Sequence, residues 1–233
     1  MASPVQQALV SYGLASVAPA TVEYIWAGSA PFSSSVTVTS VPIGTAADDR
    51  VIFMFIGIVP GSTYRSLTAA TIGGIAATIH GQTADTTYKY NVALISAPVP
   101  TGTTANVGLT FSGSGSGNVY VESYAANGLL STTPVDLQTN SWAPASKANP
   151  LTSTLEVSAG GIVLFGGTLG SSVDSYATSG VTKDYEVVLA AYSPQGWSLV
   201  VGHGTTDTDD ASYDVSTDDG ALHNGHHLVA SFR

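Results

Sequence analysis

The 233-residue chain contains no cysteine. That excludes a disulfide framework and any thiolate metal site, and leaves core size or oligomerisation to supply stability. Basic side chains are nearly as scarce. Arg50, Arg65, Lys89, Lys147, Lys183 and Arg233 are all there are, scattered singly along a chain of net charge −10. Phosphate recognition needs clustered Lys and Arg, so neither nucleic acid nor a membrane surface is expected as a partner. Residues 1–20 have no Lys or Arg ahead of their modest apolar stretch. The charged start of a signal peptide is missing, and no secretion by the usual route is expected. The run Val51–Val59 has no polar side chain, but a spanning helix needs roughly 20 apolar residues. Catalytic templates are missing too. "GSGSG" (113–117) has Gly115 where a nucleophile elbow needs Ser, and there is no Walker loop, HExxH or EF-hand loop. No catalytic, cofactor-binding or metal residue is assigned, and no enzymatic activity is expected.

Charge is short as well, at 9% of residues against about a quarter in ordinary soluble domains. Ser, Thr, Gly and Ala take the place, and mean hydropathy is +0.25. Small side chains lose little rotamer freedom when a surface becomes an interface. The composition is that of a protein packed against copies of itself or a partner.

What is present is strand signal. "TVEYIWA" (21–27), "SVTVTSV" (35–41) and the apolar run 50–59 come first, followed by 67–79 with a bulge at Gly73-Gly74. Strands at 91–97, 104–111 and 118–124 follow, the last two joined by "GSGSG" as a flexible hairpin tip. Residues 130–149 read as a long loop or a crossover. Strands resume at 151–158, 160–169, 183–193, 196–204 and 226–233. Only residues 4–16 are a weak helix candidate, and no fixed internal period appears. The pattern predicts an all-β protein: residues 1–20 as an N-terminal arm or attachment segment, and residues 21–233 as a single jelly-roll-like sandwich of two antiparallel sheets.

Three constellations offer chemistry. The stretch 205–220 holds Asp207, Asp209, Asp210, Asp214, Asp218 and Asp219, and oxygen ligands at that density suit Ca²⁺, although a solvated acidic loop is the simpler reading. In "HNGHH", a two-residue turn at Asn224-Gly225 would oppose His223 and His226 across a hairpin, close enough to share a metal or proton. Trp26, Trp142 and Trp197, with Tyr12, Tyr64 and Tyr88, are aromatics that could stack on sugars. Paired carboxylates for glycosidic cleavage could come from any two of Glu23, Glu122, Glu156, Glu186 or the many Asp, although surface carboxylates kept for solubility are the simpler reading.

The order of motifs resembles a family of β-rich proteins encoded among the structural genes of tailed bacteriophages and prophages. A Gly-x-Ala-x-x-x-Arg turn (Gly44, Ala46, Arg50) leads into the apolar strand. An "IGG" strand follows with Gly73 and Gly74, then a "PTGTTA" turn with Pro100, Thr101 and Gly102. The resemblance covers residues 35–128. It implies a non-enzymatic virion component made in the bacterial host cytoplasm: a capsid decoration protein, or part of a head or tail fibre, joined to other virion proteins and to copies of itself as a homotrimer. A module binding host surface glycans is the alternative, with a glycan depolymerase third. Within the motif, Arg50 beside Asp48 and Asp49 is expected to fix the turn by charge-assisted bonds.

Overall fold

A computed structural model describes residues 18–84, 89–141, 150–170, 176–189, 197–218 and 225–233. Residues 1–17 of the expected arm (1–20), and with them the helix candidate (4–16), lie outside them. All secondary structure among the described residues is strand, and every pairing is antiparallel. Nine strands make up the first half. They are β1 (Thr21–Phe32), β2 (Ser35–Pro42), β3 (Val51–Pro60), β4 (Leu67–Ile72), β5 (Ile75–Ala76), β6 (Thr78–Gln82), β7 (Asn91–Pro98), β8 (Thr104–Phe111) and β9 (Gly117–Asn127). The second half holds β10 (Asp136–Ser141), β11 (Leu151–Val157), β12 (Gly161–Gly170), β13 (Ala177–Ser179), β14 (Thr182–Leu189), β15 (Trp197–Thr206), β16 (Asp210–Asp218) and β17 (Gly225–Phe232).

These strands form four sheets. In the first half, an inner sheet β1-β9-β3-β7-β6 packs on an outer sheet β2-β8-β4-β5. In the second, an inner sheet β10-β17-β12-β15-β14 packs on an outer sheet β11-β16-β13. The two orders are the same order. Matching β1 to β10, β2 to β11 and so on, with β5 having no counterpart, maps each sheet of one half onto a sheet of the other. The chain is one sandwich topology used twice, and the two inner sheets then pack face to face.

The sandwich character is therefore as expected, but the count of sheets differs: two sandwiches stand where one was predicted. The sequence undercounts strands in the second half. β10 arises inside the weakly patterned 130–149 segment, and β16 inside the acidic stretch, where outward Asp210, Asp214 and Asp218 hide an inward series of Tyr213, Val215 and Thr217. With those strands restored, each half closes its own core. Gly73-Gly74 is a hairpin turn between β4 and β5, not a bulge. Both glycines have positive φ (62° and 82°), as a two-residue hairpin loop of type I′ requires.

Layering explains the apolar strand. All ten residues of β3 are buried, because Ile52, Met54 and Ile56 face the outer sheet while Val51, Phe53 and Phe55 face the other sandwich. β12 is likewise buried along its whole length, with Val163 and Phe165 outward and Ile162 and Leu164 toward the junction. A strand covered on both faces loses the alternation of a half-exposed one. Each such Ile, Leu or Phe contributes roughly 1.5–3 kcal/mol by leaving water. The inner sheets approach closely at two glycines. A Cβ on Gly166 would lie 2.3 Å from the Phe55 ring, and one on Gly57 would lie 2.7 Å from Leu199.

The turns at Gly44 and at Pro100-Thr101-Gly102 gather around Arg50, which is 1% exposed. Its Nε donates to the Val99 carbonyl (2.8 Å), Nη1 to Gly44 (2.9 Å), and Nη2 to Thr101 and Gly102 (2.9 Å each). The role is structural, but not through carboxylates: no ion pair joins Arg50 to an acid among the described residues. Asp49 instead accepts from the Gly128 backbone N–H (2.7 Å). Carbonyls reach the guanidinium because two turns fold over it from either side. The "GSGSG" tip similarly closes on Arg65, which donates to the Ser112 carbonyl (2.7 Å).

Candidate functional site

The two outer sheets face away from each other and differ in chemistry. On the first, Ser35, Thr37, Thr39, Ala69, Thr104, Asn106 and Thr110 are exposed while Val38, Val41, Val107 and Leu109 point into the core. Alternation along β8 and the first part of β2 produces this division, and a register shift between Val38 and Val41 keeps Val41 inward. The register aligns Thr37, Gly108 and Thr71 across three strands, with Ser35, Thr110 and Ala69 in the next row. Gly108 forms the floor. A Cβ there would sit 2.7 Å from Thr71 Oγ1, so the middle of the face is concave, and the shallow groove continues past Asn106 to Gly73 and Gly74. No described residue lining it carries a charge.

The other outer sheet is acidic. Residues 130–233 contain eleven of the sixteen Asp and Glu against three basic residues, a net of −8, while residues 1–129 carry −2. Asp210, Asp214 and Asp218 lie on its exposed side. These carboxylates are engaged locally: Asp214 accepts from Thr154 Oγ1 (2.6 Å), Asp210 from the Ser212 N–H (2.8 Å) and Asp209 from the Ala159 N–H (2.8 Å). Among the described residues no group of three His, Cys, Asp or Glu is placed to hold a metal ion. The strand spreads the Asp residues along an edge-to-edge line, where Ca²⁺ needs six to eight oxygens converging. Asp219 lies outside the described residues.

His223 also lies outside them, so its pairing with His226 is not described. His226 sits inside the second inner sheet, opposite Ser141 and Thr168. His227 turns to the other side and is fully buried, its Nε2 2.7 Å from Ser153 Oγ and its ring edge-on to Phe165. Burial pulls its pKa down to about 4, with His226 adding to the effect. Of the aromatics, Trp26 packs against the first core and Trp197 is buried at the junction. Tyr64 is half-buried, accepting from Asn91 Nδ2 (3.3 Å) and donating to the Thr83 carbonyl (3.4 Å). Tyr12, Tyr88 and Trp142 are outside the described residues.

The four candidate glutamates do not converge. Glu23 and Glu156 are exposed on β1 and β11, on different sandwiches. Glu186 pairs with Lys183 (2.7 Å). Glu122 is fully buried between the inner sheets, in company that sequence reasoning missed. Tyr124 Oη donates to Asp184 Oδ2 (3.0 Å), and His203 Nδ1 lies 2.7 Å from the same oxygen. Tyr24 meets Tyr124 edge-on (5.3 Å) and stacks on Tyr185 (6.2 Å). Register shifts create this cluster: one between Tyr24 and Trp26 on β1, another between Lys183 and Tyr185 on β14. An extra residue in a strand re-aims its neighbours, and neither shift is announced by a Gly or Pro.

Comparison with protein-family models, curated proteins and solved structures finds no match.

Proposed function

We propose that this protein is a non-enzymatic structural component of a bacteriophage virion, a capsid decoration or fibre protein, built from two jelly rolls and assembled with copies of itself through its uncharged outer face. In each half the first strand lies beside the last and the third lies between the last and the penultimate inner strand, with the complementary order in the outer sheet. That order supports reading each half as two interlocked Greek keys, the jelly-roll connectivity common in capsid and lectin domains. Fold alone does not carry function; the observation that does is the Thr/Ser/Ala/Gly groove on a chain of net charge −10. Copies this acidic repel one another at every charged approach. The groove side is where they meet without that repulsion, and its small side chains lose little entropy on burial. The virion assignment rests on the motif resemblance, which the Arg50-centred turns express as scaffold.

A trimer is the expected assembly, with the groove of one copy meeting a different patch on the next, since a threefold ring needs head-to-tail contacts. Light scattering on the full chain tests this. The wild type should have a trimer's mass, and Thr37→Asp with Thr71→Asp should return it to monomer while leaving the β-sheet circular dichroism unchanged. A wild-type monomer at high concentration, or a trimer indifferent to the two charges, overturns the reading.

A further inference from the structure

We propose that the contact between the two sandwiches is proton-controlled: the Glu122 carboxyl keeps the inner sheets closed on each other while protonated, and its ionisation parts them. Glu122 is 0% exposed, and neither carboxyl oxygen has a hydrogen-bond partner. It stands opposite Phe55 in the sheet register, on the face of β9 that meets the second sandwich. A neutral acid is tolerated in such surroundings. A carboxylate with no donor to hold it is not, and must either take up its proton or reach water.

Opening the junction is the route to water that the structure offers. Glu122 lies on the first half, and the groups around it are divided between the halves. Tyr24 from β1, Tyr124 from β9 itself and Tyr185 from β14 feel its charge, and Asp184 of β14 and His203 of β15 join the same cluster through Tyr124. The Tyr124–Asp184 hydrogen bond crosses the junction, as does the Tyr24–Tyr185 stack. Tyr24 and Tyr124 each feel both the Glu122 and the Asp184 charge, so an ionised Glu122 brings a second negative charge to a pair of rings already facing one. Tyr24, Tyr124 and Tyr185 are all pushed above their ordinary range, mainly by burial, and stay neutral while Glu122 titrates. Glu122 itself is held well above the usual carboxylate range by burial alone.

The opposite end of the junction provides an internal comparison. There His80 packs against the touching rings of Phe53 and Phe232, bonded to Ser96 Oγ (2.7 Å), and Gly81 meets Leu137 and Leu228. That end carries no carboxyl among its described contacts, and its His80, whose pKa burial lowers, opposes closure only toward low pH, so ionisation of Glu122 acts on one side and the two sandwiches hinge rather than separate.

Sign follows from linkage. A carboxyl whose pKa is higher in the closed state leaves closure unopposed below its open-state pKa and opposes it progressively, by up to tenfold in the opening equilibrium per pH unit, as pH rises from there through its closed-state pKa. Hydrogen exchange on the full chain reads this out at β9 and β14, with the outer sheet β2-β8-β4 as reference. In the wild type, protection of β9 and β14 should fall relative to the reference between pH 5 and pH 9. Glu122→Gln, neutral at every pH, should remove that trend, while His203→Gln should keep it. An unchanged trend in Glu122→Gln overturns the proposal. If that variant does not fold, the infrared spectrum of the wild type decides: a protonated-carboxyl band lost over the same pH range in which β9 and β14 lose protection supports the proposal, and a band that is absent throughout or indifferent to that range overturns it.

Discussion

Replacing Arg50 by Met removes a guanidinium that makes four hydrogen bonds to main-chain carbonyls while 1% exposed. Methionine keeps much of the volume, so the loss is of bonds rather than of packing. A hydrogen bond to a charged group contributes roughly 1.5–3 kcal/mol, but the four share one side chain and do not add. The carbonyls of Gly44, Val99, Thr101 and Gly102 then compete for water that reaches only part of the site. A cost of about 3–5 kcal/mol is expected, comparable to breaking a buried charged contact. Against a typical total of about 5–15 kcal/mol, that is a large fraction. Urea unfolding followed by tryptophan fluorescence measures it, since Trp26 lies against the same core. Arg50→Lys should recover only part, because an ammonium is a point charge and cannot span carbonyls on two turns. Asp48→Asn is the control. Asp48 is exposed, and its charge should matter by no more than about 0.5 kcal/mol. The reasoning fails if Arg50→Met costs under about 1 kcal/mol, or if Asp48→Asn costs as much as Arg50→Met, which would restore the carboxylate account of the turn.

Two further outcomes are expected. His227 is buried neutral with its pKa lowered from 6.5 to about 4; it leaves stability intact above pH 6.5, and costs about 3 kcal/mol as pH falls to 4, because only the unfolded chain takes up the proton. The stability difference between pH 7 and pH 4 should therefore shrink by about that amount in His227→Gln, and an identical difference in the two proteins would refute the assignment. Gly166→Ala places a methyl 2.3 Å from the Phe55 ring; overpacking at the junction should cost about 1–3 kcal/mol, and a thermal midpoint equal to the wild type's would mean the inner sheets are not held as close as described.

Much of the fold is legible in the residues themselves. Alternation in "TANVGLTF" and "SVTVTSV" specifies half-exposed strands, and the unbroken apolar run at Val51–Val59 specifies one covered on both faces. Absence of cysteine and scarcity of Lys and Arg are properties of composition alone, and hold however the chain folds. These signals are local: a strand's period, a turn's glycine and a composition are written in consecutive positions.

The duplication is not local. β3 and β12 hold the same place in their sheets, yet one reads VIFMFIGIVP and the other GIVLFGGTLG, since many apolar sequences satisfy a doubly covered strand. Burial alone does not reveal which strand is paired with which. Nor did the Asp-rich stretch announce β16, because a strand needs only every second residue for its core and leaves the rest free to be acidic. The junction depended on tertiary structure most of all. Glu122, Asp184 and His203 are separated by tens of residues, and two register shifts, each a matter of one residue, aim the flanking side chains toward the same cleft. From the sequence by itself came an all-β chain of low charge with a core strand at 51–59. Only the packing of one inner sheet on another decided that Glu122 is buried without a partner, because burial belongs to the surfaces that meet there and not to the residue.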